Sequence, residues 1–467
     1  MAIIRKTACR GFAATAIGLL TAAVAAAPLR AQGSGGATAT PDAGSDGDPV
    51  TYSDVLADPD DPATNYRYAQ RLIAQGSLNR AAASLERILM LTPDADRIRL
   101  LYGVVLVRLG NDGEALRELE AVNRSNLAAE DQRTLDRALA RVRRAQRRIS
   151  GGLGVTAGVH VDSNRNAFPE DGTFQVALPA LGTTRLDAAG SANADWGQYL
   201  LLDGRATVAT DWQRVPEVTV EAAGLRDNQV EEDALDLISG LASLRTTYYG
   251  DGFRLAPRLS YRHLALAGER YLRETAARLR LSHKLTADRT LVAFVEGTGV
   301  YSDYDPVARA PFANEQTGPS AAGELGATYA PTERLDLTAT YRFERKFARE
   351  DFEAFDEHRG RLSAIYVPGP GISLSAEGFA AWRTYDAPDT FVTTRTIRED
   401  REVLGRLGAT VTVPRLASAL GVSLPDRVAE NLQLSVFGQL RDVDSNLPNF
   451  SYRNYRTEFA ITKRFAF

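Results

Sequence analysis

The stretch "GFRLAPRLSYRH", residues 252–263, places Phe253, Leu255, Pro257, Leu259 and Tyr261 on one parity and Arg254, Ala256, Arg258, Ser260 and Arg262 on the other. Side chains along a strand point alternately to opposite faces, so this segment has one apolar face and one cationic face. "LDLTATYRFERK" (335–346), "ISLSAEGFAAWRTY" (372–385) and "ENLQLSVFGQLRD" (430–442) alternate in the same way. A soluble sandwich also alternates, but on shorter strands whose polar face meets water. Strands of about ten residues with an apolar outside and a charged inside are the signature of a transmembrane β-barrel. Tyr248, Tyr249, Tyr301, Tyr304, Trp382 and Tyr385 cluster near strand ends, where interfacial girdles belong.

Counting outward from these segments predicts fourteen strands, near 151–161, 187–197, 202–213, 235–247, 252–265, 269–284, 288–302, 318–330, 334–348, 355–368, 371–385, 399–413, 430–443 and 451–467. "VTVEAAGL", within 214–230, reads as either a strand or a loop. The longer connections, 162–186, 214–234, 303–317 and 386–398, then share one end. The turns "YGDG" (249–252), "TADR" (286–289) and "APTE" (330–333) share the other, with 414–429 as a long exception. Lipid exposure would cost about 2–4 kcal/mol per cation near the bilayer midplane, so Arg254, Arg258, Arg262, Arg278 and Arg280 are predicted to face the lumen. Inward acids such as Glu296, Asp336 and Glu344 are available to pair with them. The segment "YRTEFAITKRFAF" (455–467) sets Tyr455, Thr457, Phe459, Ile461, Phe465 and Phe467 on one face, broken by Lys463. Phe465 and Phe467 resemble the terminal signal read by the outer-membrane barrel assembly machinery, a predicted partner.

Residues 52–149 follow helical spacing and carry a repeat. Gly76, Ala81 and Leu85 recur 34 residues later as Gly110, Ala115 and Leu119, while Ala69 matches Gly103 and Ile88 matches Val122. A 34-residue period with small residues where paired helices approach resembles the tetratricopeptide repeat. Two repeats are fewer than such arrays need, so a helix from Ala128 to Arg148 is expected to supply the missing cover. Its basic end (Arg141, Arg143, Arg144, Arg147, Arg148) suits a solvated helix C-terminus, or a docking patch for an acidic partner. Tyr66, Leu72, Tyr102 and Arg108 are the residues expected to meet a client.

The 467 residues carry 55 Lys and Arg against 59 Asp and Glu. Arg5, Lys6, Arg10 and Arg30 lie in the first 31 residues with no acid, so without that segment 51 basic groups face 59 acidic ones, a net of −8. An acidic chain lacking a basic block is a poor nucleic-acid binder. The charged start, the apolar run Gly11–Ala27 and Ala31 before Gln32 read as a secretory leader over 1–31. Residues 32–51 read as a flexible linker, and 150–467 as the barrel. The single cysteine, Cys9, falls within the leader, so the mature chain has no disulfide or thiolate chemistry. His160, His263, His283 and His358 are scattered, without the spacing of a helical zinc site. No catalytic set, cofactor or metal site is predicted, and no enzyme activity. The Asp/Asn/Ser runs at 162–166 and 444–446 could offer oxygen ligands to Ca²⁺, but such runs more commonly end strands by satisfying nearby backbone.

Several segments resemble the surface lipoprotein assembly modifiers, outer-membrane proteins with a periplasmic tetratricopeptide domain before a fourteen-stranded barrel. "GVHVDSNRNAFP" (158–169) carries Asp162, Ser163, Asn164 and Asn166 in the family's first-strand motif. "DVDSNLPNFSYRNYRTEFAITKRF" (442–465) carries Asp444, Ser445, Asn446, Tyr452, Arg453, Asn454, Thr462, Lys463 and Phe465. "GISLSAEGFAAWRTYDAPDTF" and "REDRE" (Arg398, Asp400, Arg401) add to the likeness, and the helical domain is shorter than the family's. The resemblance implies an outer-membrane factor that delivers client proteins, typically lipoproteins, with the helical domain in the periplasm docking the client; the chain is expected to act as a monomer. The alternative that the residues allow is a porin-like exporter of polysaccharide or small solutes, or a surface receptor.

Overall fold

The computed structural model describes residues 50–145, 149–178, 182–188, 190–210, 217–250, 252–286, 290–422, 425 and 429–467. The leader, the linker as far as Pro49, the side chains of Arg144, Arg147 and Arg148, and the turn residues Ala287–Arg289 lie outside them.

The helical unit contains α1 (Tyr52–Ala57), α2 (Pro62–Ala74), α3 (Leu78–Leu91), α4 (Asp96–Leu109), α5 (Asp112–Glu120) and α6 (Ala129–Ala145). Asp61 starts α2: its carboxylate accepts from the amides of Ala63 at 3.2 Å and Thr64 at 3.0 Å. Pro62 occupies the first turn, where its missing N–H costs nothing. Gly76 and Gly110, at φ +75° and +80°, provide the left-handed residues that close α2 and α4. The small repeat positions are tight. Ala69, Ala81 and Ala115 are fully buried, and a Cβ on Gly103 would stand 2.6 Å from the Leu119 side chain. Leu85, Leu106, Leu119, Leu135 and Val142 share one core, so α6 covers the surface that two repeats would leave bare. At the other end α1 places Val55 against Tyr68, Leu72 and Ala81.

The second unit is a closed barrel of fourteen described strands. In chain order they are β1 (Ile149–Asp162), β4 (Asp195–Ala209), β5 (Glu217–Gln229), β6 (Leu237–Tyr249), β7 (Phe253–Leu266), β8 (Glu269–Lys284), β9 (Leu291–Tyr304), β10 (Gly318–Thr332), β11 (Leu335–Lys346), β12 (Phe355–Gly369), β13 (Ile372–Tyr385), β14 (Glu399–Thr412), β15 (Leu432–Ser445) and β16 (Tyr452–Ala466). A separate hairpin, β2 (Thr173–Leu178) with β3 (Gly182–Asp187), rises from the first long loop. β16 pairs antiparallel with β1, from Gly152 opposite Ala466 to Asp162 opposite Arg456.

Two strand expectations are corrected. The segments read as strands at 187–197 and 202–213 are one strand, β4, and the undecided "VTVEAAGL" lies in β5. The errors cancel in the count. The supposed break near Leu201–Leu202 is a run of apolar residues on both faces, which hides the period of two. The loop expected over 214–234 is therefore largely strand β5, and its described remainder, 230–234, leads on towards β6. The long exception near 414–429 includes a short helix, α7 (Val413–Ala419), started by Pro414.

Outward positions form a continuous apolar belt. Each barrel strand leaves at least one large hydrophobic side chain exposed, among them Val159, Leu202, Leu259, Leu279, Leu325, Leu362, Leu407 and Phe459. A water-soluble protein rarely exposes a contiguous apolar patch of this extent, and a belt around a closed barrel is the surface that hydrocarbon solvates. Tyr249, Tyr301 and Trp382 are exposed on it. Tyr304 and Tyr385, expected in the same girdles, are instead buried, because their parity turns them inward beneath the loops. Phe465, beside Leu153 in the ladder, and Phe467 are both exposed.

Candidate functional site

The inward face is lined with opposed charges. Of the five arginines predicted to face the lumen, Arg258 meets Glu221 at 2.8 Å, Arg262 meets Glu274 at 3.9 Å and Arg280 meets Glu296 at 3.9 Å. Arg254 and Arg278 have no acidic side chain within 4 Å among the described residues. The expected partners are therefore corrected in part: Glu344 bonds Arg342 at 2.8 Å, and Asp336 makes no ion pair with these arginines among the described residues. The difference is one of register, because Glu344 lies on β11 opposite Glu357 and Ala322, three strands along the sheet from Arg278 on β8.

Two buried networks line other parts of the wall, one on β12 to β15 and one on β1, β5 and β16. In the first, Glu357 holds both Arg359, at 3.0 Å, and Arg383. Arg398 bonds Asp400 at 2.7 Å and Arg441 bonds Glu402 at 2.8 Å, while the Arg398 guanidinium lies 3.5 Å from the centre of the Phe450 ring. In the second, His160 is clamped by Asp162 at 3.0 Å and Asp227 at 2.8 Å, and Asp162 also takes Arg456 at 3.2 Å and the amide of Asn454 at 2.7 Å. Beside it the Tyr199 hydroxyl donates to Glu458 at 2.6 Å. The glycines of β1 and β4 make room for these rings: a Cβ on Gly158 would lie 2.5 Å from Tyr199, and one on Gly197 would lie 2.3 Å from His160.

The long loops fold over the strand ends. Asn449 grips β2 twice, accepting from the Gln175 amide at 2.7 Å and donating to the Gln175 carbonyl at 2.9 Å. The Ala177 amide donates to the Phe391 carbonyl at 2.9 Å, and Val392, Leu447 and Phe450 pack together alongside. Around the rim, Val307, Ala310 and Ala313 cover Leu264, Tyr271, Leu272 and Tyr304. Asn449→Ala should release the hairpin locally, since each bond to a buried backbone group contributes on the order of 1 kcal/mol. Protease should then nick residues 173–187 of the purified protein faster, with the barrel's own melting unchanged; unchanged nicking would show that the hairpin is held elsewhere.

The family-motif residues belong to this loop end. Asn166 donates to the Ser191 carbonyl and accepts from the Asn193 amide, both at 3.0 Å. Asn164 donates to Phe168 O at 2.9 Å, and the Ser163 hydroxyl accepts from the Tyr455 amide at 2.9 Å. Asn446 spans the Glu399 amide, at 2.9 Å, and the Ile397 carbonyl, at 2.8 Å. The Ser445 hydroxyl accepts from Leu447 N at 3.2 Å, and Asp444 is exposed. These polar atoms fasten loops to strands. Among the described residues no group of three His, Cys, Asp or Glu side chains is placed to hold a metal ion.

Two of the client-docking expectations are corrected by burial. Leu72 and Tyr102 belong to the helical core, with the Tyr102 hydroxyl 3.0 Å from Glu114. Burial, with Glu114 beside it, holds that phenol well above its ordinary pKa. Both occupy repeat positions whose task is packing one helix on the next. Tyr66 is half-buried against the same core, and Arg108 is exposed. Sequence reasoning missed the Glu357 and His160 networks. The alternating charges of "FDEHRGR" and "REDRE" were the available signal, but their partners lie on other strands.

Residues 72–142 match the tetratricopeptide repeat family. Compared with curated proteins, the sequence has no match. Among solved structures, the P58(IPK) TPR domain is 26% identical over 20% of this chain, at TM-score 0.19, and the match spans 26% of that structure. Pseudomonas aeruginosa OpdQ is 10% identical, covers 68% of this chain and 99% of its own, and gives a TM-score of 0.33. A loop-deleted OmpT, an outer membrane protein of Vibrio cholerae, is 8% identical over 68% of this chain and 100% of its own, at TM-score 0.35.

Proposed function

We propose that the protein is an outer-membrane delivery factor: its helical unit, in the periplasm, docks client proteins, lipoproteins foremost, and its barrel passes them to the surface. The observation that carries this reading is the union, in one chain, of a tetratricopeptide unit with a closed barrel whose outside is apolar and whose inside is charged. Repeat helices stack into surfaces suited to holding a polypeptide, and fourteen strands enclose a lumen wider than side chains alone fill. The apolar belt and strand-only spanning suit an outer membrane, where barrels are the spanning form.

The test is the surface proteome of a deletion strain. Specific surface proteins should disappear and return when the full chain is supplied. An intact surface proteome, together with lost flux of a small solute or polysaccharide, would overturn delivery in favour of a porin-like exporter.

A further inference from the structure

Arg245, Arg258 and Arg278 occupy one row of the ladder: Arg245 pairs with Arg258 across β6 and β7, and Arg258 pairs with Arg278 across β7 and β8. Residues directly opposite in such a row have Cβ atoms about 5 Å apart, so three guanidinium stems enter the lumen side by side. Arg280, two residues along β8, adds a fourth on the same face. Like charges set opposite one another destabilise a sheet, and the acids that act on the row, Glu221, Glu296, Glu274 and Glu324, are each shared among several arginines. Glu221 is shared, at 2.8 Å from Arg258 and 3.7 Å from Arg245. Glu296 reaches Arg280 only at 3.9 Å, and Arg278 has no acid within 4 Å among the described residues.

Part of this row's donor capacity is unspent, and its side chains stay partly open to solvent. The Nε of Arg245, Arg258, Arg278 and Arg280 is in each case buried without a hydrogen-bond partner. The side chains of Arg245, Arg258 and Arg280 still retain 34%, 25% and 36% exposure, so solvent meets them inside the closed barrel. The Arg280 guanidinium lies 3.5 Å from the centre of the Phe294 ring, a stack that holds its plane while leaving edge donors free. By contrast, the arginines of the Glu357 network are matched closely by acids.

We propose that Arg245, Arg258, Arg278 and Arg280 form a binding site on the lumen wall for a phosphate-class oxyanion. A carboxylate offers two oxygens and saturates one guanidinium fork, whereas a tetrahedral phosphate can accept from several forks at once. The row faces the interior, so membrane lipid does not supply the group; it arrives as free phosphate or on a solute or polymer within the lumen. The site goes beyond client delivery and does not depend on it.

The test is isothermal titration of the full-length protein, in phosphate-free detergent micelles, with inorganic phosphate. Saturable binding is expected, at least tenfold tighter than acetate. Arg278→Gln should weaken it at least tenfold, with the compact heat-modifiable band retained as the check on folding. If that variant does not fold, Arg278→Lys, which keeps the charge and removes the fork, should weaken binding severalfold. Absent binding, acetate binding as tight as phosphate, or full affinity in a folded Arg278 variant would each overturn the site. The surface proteome reads the delivery role separately, so failure of one leaves the other standing.

Discussion

Leu85→Arg should unfold the helical unit and leave the barrel in the membrane. Leu85 has no exposed surface and lies at the centre of the core formed by α3 to α6. Placing a guanidinium there removes apolar burial and leaves a charge without a partner, a combined cost of roughly 4 kcal/mol or more. That is most of the stability of a small helical domain, which is at the low end of about 5–15 kcal/mol. Trypsin should then cut within residues 52–143 of the full chain, while the compact, heat-modifiable barrel band persists. The barrel's strands satisfy one another's backbone around the ring, so they need no help from the helices. Surface display should be lost together with the helical unit. Loss of the barrel band as well would show that the two units fold as one.

Glu357→Gln should lower the temperature at which the barrel opens. Its carboxylate is buried between Arg359 and Arg383, with only 4% of the side chain exposed. Removing the charge leaves Arg359 without its acid and Arg383 with only Asp400 at 3.9 Å and Glu402 at 4.0 Å, a loss at the low end of about 3–5 kcal/mol for breaking a buried pair from one side. The temperature at which the heat-modifiable band disappears should fall clearly. The exposed Asp444→Asn serves as the control and should move it little. Equal behaviour of the two variants would mean that solvent reaches Glu357 and screens its partners.

The barrel class was legible because its signal is local. An alternation of period two needs only neighbours in sequence, and "GFRLAPRLSYRH" states it without reference to any other strand. The repeat was legible for a related reason: Gly76 with Gly110 and Ala81 with Ala115 recur at a fixed spacing set by one structural unit. The reading failed where the local pattern blurred. Around Leu200–Leu202 both faces are apolar, so the pattern splits one strand into two, and the strand holding Val218 and Val220 carries too weak an alternation to stand out from a loop. Tyr102 and Leu72 were misread because an aromatic or aliphatic side chain at helical spacing looks the same whether it packs a core or greets a partner.

By itself, the sequence determined that residues 52–145 would be helical with close small-residue contacts, that a run of amphipathic strands would follow, and that Arg254, Arg258, Arg262, Arg278 and Arg280 would turn away from lipid. Tertiary structure alone decided which charges meet. Registers such as Arg245 opposite Arg258 and Arg258 opposite Arg278 come from pairing strands whose residues stand far apart in the chain, and the same holds for Glu357 with Arg383 and His160 with Asp227. A one-residue slip in pairing would turn every side chain of a strand to the other face, so keeping the apolar belt outward, towards hydrocarbon, selects the register. The register, in turn, gathers one set of arginines without enough acids and neutralises the others.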